Sequence, residues 1–158
     1  MMNIRIVRIN DEAMKSLHTK EILRSLPEWF GNEKALCEYV KNVAKLPYWI
    51  ALNQNESSVG FISVKIHYGN TGDIYVFGVL PEYHNQGIGK KLLASAAEYF
   101  RQNGCKYVIV KTLSEKARYE PYERTRKFYT RAGFEPLITL TEMWAEENPC
   151  LIMIKKFD

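Results

Sequence analysis

The stretch FGVLPEYHNQGIGKKLL, residues 77–93, decides how the rest of the chain is arranged. It begins as an apolar strand, passes through a turn, and reaches Gly87-Ile88-Gly89 at the start of a helical pattern. Glycine at a helix N-terminus lets the backbone approach a ligand, and the free N–H groups and the helix dipole favour an anion there. The spacing predicts a phosphate-binding turn, although a plain loop-to-helix turn would carry the same glycines.

Two familiar phosphate-binding motifs are excluded at this turn. The Walker motif would need glycine at His84 and Ser or Thr at Lys91. The dinucleotide fingerprint would need glycine or alanine at Leu92. The turn therefore matches neither of these motifs.

Hydrophobic periodicity on both sides of this stretch predicts the remaining elements. Before it we expect a strand at 3–9, helices at 11–24 and from Asn32 to Pro47, and the strand runs YWIAL, SVGFISVKIHY and DIYVFGV. After it we expect a helix from Ile88 to Gly104, the strand KYVIVKTL, a helix over 123–132, and strands FEPLITL and CLIMIKKF. The loop TEMWAEENP is predicted to be irregular because of its acids and proline. The order β-α-α-β-β-β-α-β-α-β-β indicates an α+β (mixed α/β) fold around one sheet.

Length and composition predict an ordinary globular protein. The 158 residues fit one domain over 1–158, and 46% hydrophobic with 25% charged residues excludes disorder and coiled coil. Cys37, Cys105 and Cys150 show no metal-ligand spacing, so we expect buried reduced thiols and no metal site. No apolar run approaches a membrane span, and the N-terminus has no signal-peptide pattern, so the prediction is a soluble cytoplasmic protein with no membrane partner.

The positive charge is concentrated in the middle of the chain. Residues 84–131 hold eleven basic and four acidic side chains, whereas the whole chain has a net charge of only +4. A local excess of this kind favours a phosphate-bearing ligand, either a phosphorylated cofactor or a nucleic acid. A solvated basic face would give the same count, and no recognisable nucleic-acid motif accompanies it.

Two motifs resemble the GNAT superfamily of N-acetyltransferases. The segment from His84 to Gly89 is similar to the acetyl-CoA pyrophosphate loop Q/R-x-x-G-x-G/A, and TRKFYTRAGF (125–134) is similar to the signature A-x-x-F-Y-x-x-x-G-F. The order of elements over 3–157 matches as well. The resemblance implies a single domain with a twisted, mostly antiparallel sheet of about seven strands flanked by about four helices. Many relatives dimerise, so a homodimer is a further expectation.

The resemblance implies acetyl-CoA as cosubstrate and an amine as acceptor. It assigns the pantetheine arm to the backbone of Phe77 to Val79, the pyrophosphate to the turn, and further contacts to the helix that carries the second motif. The implied cofactor-binding residues are Phe77, Val79, His84, Asn85, Gln86, Gly87, Ile88, Gly89, Lys90, Tyr122, Thr125 and Phe128. Three of them depart from the family pattern: His84 replaces Gln or Arg, Tyr122 replaces Asn, and Thr125 replaces Ala.

Acetyl transfer needs a stabilised oxyanion, a proton for the leaving thiolate and a neutral amine. By resemblance, the Val79 N–H faces the thioester oxygen and Tyr129 protonates the CoA sulfur, although a half-buried aromatic at Tyr129 is the plain alternative. Asp73 matches by spacing a carboxylate that some members use as base, although Asp is also common in turns. Further base candidates are Tyr75 and Glu120.

Clustered aromatics could enclose an alkyl ammonium by cation–π attraction, although aromatics more often pack in a core. The candidates for such an acceptor pocket are Trp29, Phe30, Tyr68, Tyr119 and Trp144. The main hypothesis is transfer of acetyl from acetyl-CoA to a primary amine of a small molecule, peptide or protein, by direct attack in a ternary complex. The alternatives are a non-catalytic acyl-CoA sensor of the same fold and a basic nucleic-acid-binding module.

Overall fold

The computed structural model describes residues 3–157 and contains the predicted elements in the predicted order. The strands are β1 (Arg5–Arg8), β2 (Tyr48–Leu52), β3 (Ser58–His67), β4 (Thr71–Val79), β5 (Tyr107–Leu113), β6 (Glu135–Ala145) and β7 (Asn148–Lys156). The helices are α1 (Glu12–Arg24), α2 (Glu33–Asn42), α3 (Ile88–Gln102) and α4 (Glu120–Arg131). The strand order in the sheet is β1-β2-β3-β4-β5-β7-β6.

The sheet is mixed, with mostly antiparallel strand pairs, as the family resemblance implied. Pairs β1–β2, β2–β3, β5–β7 and β6–β7 are antiparallel, and β4–β5 is parallel. The parallel pairing joins Thr71–Ile74 to Tyr107–Val110. A parallel neighbour requires a crossover, and α3 supplies it between β4 and β5.

The chain divides into two compact units that share β3 and β4. The first unit contains the residues up to Lys65 together with Tyr75–Tyr99, and the second contains Ile66–Ile74 together with the residues from Phe100 onward. One domain over 1–158 therefore stays a prediction, and residues 1, 2 and 158 of that range lie outside the described residues.

The first unit buries an apolar core between helices α1 and α2 and its strands. Helices α1 and α2 begin at side-chain caps, since Asp11 accepts from the Met14 N–H at 2.9 Å and Asn32 accepts from the Ala35 N–H at 3.0 Å. The Tyr48 ring stacks on Phe61 with centroids 5.2 Å apart. The buried core residues are Ile22, Leu23, Leu26, Leu36, Val43, Tyr48, Ile50, Phe61 and Val76.

The second unit packs α4 and the end of α3 with strands β5 to β7. Gly72 lies so close to Phe100 that a Cβ at residue 72 would stand 2.6 Å from the ring. At the end of α4, Lys155 donates to the Ala132 carbonyl at 2.8 Å, and Gly133 follows with φ of 99°. A left-handed glycine after the last turn is the usual helix stop, as the sequence predicted at this position.

Helix α4 begins three residues earlier than the sequence indicated. The prediction placed its start at Glu123, because EPYE reads as polar and irregular. In the structure α4 begins at Glu120, and Pro121 occupies its first turn. Proline is well tolerated there, since its missing N–H would have no helical partner.

The segment TEMWAEENP is not an irregular loop, so this prediction was wrong. Strand β6 continues to Ala145, which pairs with Asn148 across a two-residue turn. Its acidic side chains are tolerated because β6 stands at the end of the strand order, where side chains meet solvent. Pro149 is tolerated at the beginning of β7, where its carbonyl accepts the Ser114 N–H at 2.9 Å.

The cysteine prediction holds at two positions and fails at the third. Cys105 and Cys150 are buried free thiols, and burial raises the pKa of each. Cys37 is free but exposed, because it lies on the outer face of α2. None of the helices formed by residues 3–157 is long and apolar enough to cross a membrane.

Candidate active site

The turn after β4 has the backbone shape that its glycines suggested. A short 3₁₀ turn over Pro81–Tyr83 leaves β4, and the chain then passes through left-handed conformations at Asn85 (φ 62°) and Gly87 (φ 80°). The first hydrogen bond of α3 runs from the Lys91 N–H to the Gly87 carbonyl at 3.1 Å. The N–H groups before Lys91 therefore have no acceptor within the helix. They lie at the N-terminal end of α3, where the helix dipole favours an anion.

Side chains of the turn hold it in place. Gln86 donates from Nε2 to the Glu82 carbonyl at 3.1 Å, and Ile88 is 1% exposed, so the first residue of α3 anchors in the core. Lys90 is exposed and Gly89 is half-buried. The predicted pyrophosphate residues Asn85 to Lys90 thus form one continuous turn and helix start.

His84 makes a different contact from the one its position in the motif suggested. Its Nε2–H donates to the Val79 carbonyl at 2.6 Å, and its ring meets Trp29 edge-on with centroids 5.6 Å apart. The imidazole therefore ties the turn back to the end of β4. Because Nε2 is bound to a carbonyl, it must carry the proton, and only Nδ1 is left to meet a ligand.

At the end of β4, the N–H group of Val79 points away from β3. The Leu80 N–H donates to the Val59 carbonyl of β3 at 2.9 Å. Successive N–H groups of a strand point to opposite edges, so the Val79 N–H points to the edge away from β3. Phe77 and Val79 are both half-buried, two residues apart on the same strand face.

Within the second unit, Asp73 belongs to a hydrogen-bonded pair that the sequence did not reveal. Its side chain is 6% exposed, and its Oδ2 lies 2.8 Å from Nε2 of His67, whose side chain is 43% exposed. The Lys111 Nζ lies 3.9 Å from the same carboxylate oxygen. His67 was missed because it ends β3, six residues before Asp73, and the spacing alone does not give the pairing of β3 with β4.

Tyr129, the predicted acid, is buried in the second unit on α4. It is 5% exposed, and its ring lies edge-on to Phe128 and Phe134 with centroids 5.4 and 5.5 Å away. Burial raises the pKa of Tyr129, and the nearby Tyr122 adds to that rise. The phenol is therefore protonated at neutral pH, the state that a proton donor requires.

The other predicted residues of α4 are spread along the helix. Tyr122 and Thr125 are half-buried and precede Tyr129 by seven and four positions, close to one helix face. The Thr125 hydroxyl donates to the Pro121 carbonyl at 3.4 Å. Glu120, a further base candidate, is exposed and paired with Arg124 at 3.3 Å.

The remaining base candidate and the aromatic residues fall into separate groups. The Tyr75 hydroxyl accepts from Asn42 at 2.8 Å, and the Lys65 ammonium lies 4.3 Å above the Tyr75 ring, all in the first unit. Trp29 and Phe30 also belong to the first unit and are half-buried. Three candidates of the second unit are exposed: Tyr68, Tyr119 and Trp144.

A metal was not expected from the sequence. Among residues 3–157 no cluster of three or more His, Cys, Asp or Glu side chains is arranged to hold a metal ion. That the reaction needs no metal stays a prediction.

A sequence model described as the acetyltransferase (GNAT) family matches residues 10–134, which include the turn, β4 and Tyr129. The chain belongs to the GNAT acetyltransferase family. The family prediction drawn from the two motifs is therefore confirmed, and so is the predicted α+β fold.

Relatives of known structure show the same GNAT fold over the whole chain. A GNAT-family protein from Desulfovibrio desulfuricans is 19% identical with a TM-score of 0.81, and the match covers 98% of this chain and 99% of that one. An aminoglycoside 6'-N-acetyltransferase complexed with coenzyme A is 18% identical with a TM-score of 0.74, covering 98% and 97%. At these identities the likeness shows the fold.

A curated relative matches a shorter part of this protein. It is a mycothiol acetyltransferase from Saccharopolyspora erythraea, 32% identical over 63 residues, which are 40% of this chain. The chain spans only 21% of the length of that relative.

Proposed function

We propose that this protein transfers an acetyl group from acetyl-CoA to a primary amine of a small molecule, peptide or protein, by direct attack in a ternary complex. The observation that carries the proposal is the turn after β4, where Gly87 is left-handed and the amides of the first α3 turn precede the helical ladder. A diphosphate fits such a helix start by charge and by hydrogen bonding.

Acetyl-CoA binding is assigned to the turn and to the end of β4. The amides of Gly87 to Lys90 bind the pyrophosphate, and the Lys90 ammonium adds positive charge beside it. The backbone of Phe77 to Val79 pairs with the pantetheine arm, as an added strand would. The orientation of the Val79 N–H away from β3 supports its role as the donor to the thioester oxygen, and His84 supports that role by holding the Val79 carbonyl.

Catalysis then needs two proton transfers. The amine nitrogen attacks the thioester carbon, the carbonyl oxygen becomes an oxyanion at the Val79 N–H, and the C–S bond breaks as the oxyanion collapses. Tyr129 donates its phenolic proton to the leaving thiolate, which its raised pKa supports at neutral pH. Asp73 stands six residues before Val79 on β4, about 20 Å along an extended strand, so we assign to it the removal of the proton from the attacking ammonium through water.

The acceptor is proposed to be a small-molecule amine. This choice follows the name of the curated relative, mycothiol acetyltransferase, and it concerns the acceptor class only. We assign four side chains of the first unit to the binding of this amine. They are the half-buried aromatics Trp29 and Phe30, and Tyr75 with the Lys65 ammonium above its ring.

A non-catalytic acyl-CoA sensor is the second candidate, favoured by one observation. His84 stands where the family carries Gln or Arg, and its Nε2–H is already bound to Val79. A nucleic-acid-binding role has less support, because the basic stretch is partly neutralised on α4. There Lys127 pairs with Glu123 at 3.3 Å and Arg124 pairs with Glu120 at 3.3 Å.

The test is a panel of primary amines incubated with acetyl-CoA and the purified protein, read by release of the CoA thiol and by mass spectrometry of the amine. The proposal predicts thiol release that depends on one class of amine, with one acetyl group added to that amine. Acetyl-CoA binding without release for any amine would favour the sensor. Binding of random oligonucleotides with a steep salt dependence and no acetyl-CoA binding would favour the nucleic-acid role.

A further inference from the structure

The Val79 carbonyl is the last carbonyl of β4, and the His84 imidazole already binds it. The Leu80 N–H donates to the Val59 carbonyl of β3 at 2.9 Å. Because a trans peptide points its N–H and its C=O in opposite directions, the Val79 carbonyl points away from β3, to the same edge as the Val79 N–H. At this edge Nε2–H of His84 donates to the carbonyl at 2.6 Å. All four residues belong to the first unit.

The edge that carries this carbonyl is also the one assigned to the pantetheine arm. When the thioester oxygen accepts from the Val79 N–H, the sulfur and two methylene groups separate the thioester from the first amide of the arm. An added strand uses both the N–H and the C=O of a residue that faces it, so this amide would donate to the Val79 carbonyl from about 2.9 Å. Nε2 of His84 stands at that place, 2.6 Å from the oxygen. The arm and the imidazole therefore compete for one carbonyl.

A released imidazole has a second acceptor near the same turn. His84 precedes Gly87 by three residues, which limits the distance between their Cα atoms to about 11 Å. Gly87 begins the run of amides assigned to the pyrophosphate, and the half-buried His84 ring can rotate about its Cα–Cβ bond to another staggered position. A hydrogen bond to an ionised oxygen is about twice as strong as one between neutral groups, so a diphosphate oxygen binds the Nε2–H more strongly than a peptide carbonyl does.

We propose that His84 is a specificity-determining residue, which makes the site select acetyl-CoA over thioesters that lack the diphosphate. In the ligand-free protein the imidazole covers the Val79 carbonyl. When acetyl-CoA binds, Nε2–H donates to a diphosphate oxygen and the first amide of the arm donates to the Val79 carbonyl, so each group keeps a partner. A thioester without the diphosphate displaces the imidazole and offers it no new acceptor. This inference rests on the proposed function, because it uses the sites assigned there to the arm and to the pyrophosphate.

Trp29 stabilises the covered state of the carbonyl. Its ring meets the His84 imidazole edge-on, with centroids 5.6 Å apart. Edge-to-face contacts between rings are attractive beyond the area they bury, so rotation of the imidazole away from Val79 loses this attraction as well as the hydrogen bond. Every ligand that uses the carbonyl meets this cost, and only a ligand with the charged diphosphate compensates for it.

The first test is calorimetric titration with acetyl-CoA and with S-acetylpantetheine, which carries the same thioester and arm without the diphosphate. His84→Ala should weaken acetyl-CoA binding about tenfold, because it removes a hydrogen bond to a charged group. The same variant should bind S-acetylpantetheine about fivefold more tightly than the wild type, because no neutral hydrogen bond has to be broken first. A merely structural role of His84 would weaken the binding of both ligands.

Two variants control this comparison. His84→Gln keeps a side-chain N–H donor, so its preference for acetyl-CoA over S-acetylpantetheine should exceed that of His84→Ala. An equal preference in these two variants would contradict the role assigned to the N–H. His18→Ala removes a histidine of α1 and should keep the wild-type affinity for both ligands.

The second test is a crystal structure of the complex with acetyl-CoA. The proposal predicts that Nε2 of His84 lies within about 3.2 Å of a diphosphate oxygen, and that an amide nitrogen of the arm lies as close to the Val79 oxygen. An imidazole that remains on the Val79 carbonyl in this complex would overturn the proposal.

The outcomes separate this inference from the proposed function. Acetyl-CoA binding by the wild type, with both affinities unchanged or both lowered in His84→Ala, would overturn the role of His84 and leave the proposed function standing. Failure of His84→Ala to bind S-acetylpantetheine would also contradict that role. No binding of acetyl-CoA by the wild type would contradict the proposed function and this inference together.

Discussion

A single buried hydroxyl illustrates how packing prepares a side chain for chemistry. Tyr129 is surrounded by Phe128 and Phe134, and this burial disfavours the phenolate and raises the pKa of the group. A phenol that stays protonated until it meets a thiolate is suited to donate one proton per turnover. The role proposed for Tyr129 therefore follows from its environment as well as from its motif.

Replacing Tyr129 by phenylalanine tests that role with minimal change in volume. Tyr129→Phe should lower kcat about 100-fold or more, because a general acid contributes on the order of 10²- to 10⁴-fold. The dissociation constant for acetyl-CoA should change less than about threefold. Tyr107→Phe on β5 is the matched control and should keep the wild-type rate, whereas an unchanged kcat in Tyr129→Phe would remove this residue from the acid role.

Sequence reasoning found the motif residues and missed their partners. His84 was identified from the loop pattern, yet its bond to Val79 depends on how the turn folds back, which one-dimensional spacing does not contain. His67 lies on the strand that precedes Asp73 across the Gly-Asn turn, and its contact with Asp73 depends on how the two strands pair. A motif identifies single residues. To predict a hydrogen-bonded pair on two strands, the register between those strands must also be predicted.

At the scale of elements, periodicity was informative wherever one face is buried and the other is solvated. It placed α3 and the runs of β2 to β5 because their apolar residues repeat with a clear helical or strand period. It failed at the start of α4, where Pro121 and polar residues occupy the first turn. It failed again in TEMWA, because a strand at the end of a sheet needs no apolar alternation.

The close contact between Gly72 and Phe100 gives an element-scale prediction. Gly72→Ala should destabilise the protein by about 1–3 kcal/mol, because the new methyl group would overlap the ring beside the first residues of β4. The measurement is the free energy of urea unfolding. In a Phe100→Leu background the same substitution should cost less, since the ring is gone.

The control for this prediction is a glycine with open surroundings. Gly104 has φ of 76°, and apart from its chain neighbours no described heavy atom lies within 4 Å of the position that a new methyl group would take. Gly104→Ala should therefore cost only the strain of a left-handed residue, about 1–2 kcal/mol, in either background. Equal costs of Gly72→Ala with and without Phe100 would show that the ring contact does not limit this position.

At the scale of the whole molecule, buried tyrosines couple stability to alkaline pH. Burial raises the pKa of Tyr48, and its hydrogen bond to Thr19 at 2.9 Å opposes that rise only in part. A raised pKa in the folded state means that the stabilisation is complete below the pKa of an unfolded tyrosine, about 10, and is lost as the pH rises beyond it. The folded protein should therefore lose stability above pH of about 10.

The variant Tyr48→Phe isolates this contribution. At pH 8 the wild type should be more stable than Tyr48→Phe by about 1 kcal/mol, the value of the lost hydrogen bond. Above pH of about 10 this difference in stability should shrink and then reverse. Only the wild type has a tyrosine at residue 48, and that tyrosine ionises more easily in the unfolded chain than in the folded protein. Unfolding free energies measured from pH 8 to 11 check this, and a constant difference would contradict it.

The central claim is that the turn after β4 binds acetyl-CoA, and calorimetric titration of the wild type and Gly89→Glu with acetyl-CoA tests it most directly. Glu is a better helix former than glycine by up to about 1 kcal/mol and suits a helix N-terminus, so the variant should melt no lower than the wild type. The same side chain would fill the proposed pyrophosphate site and repel it. The account predicts acetyl-CoA binding by the wild type and none by Gly89→Glu; equal binding by both, or no binding by the wild type, would contradict it.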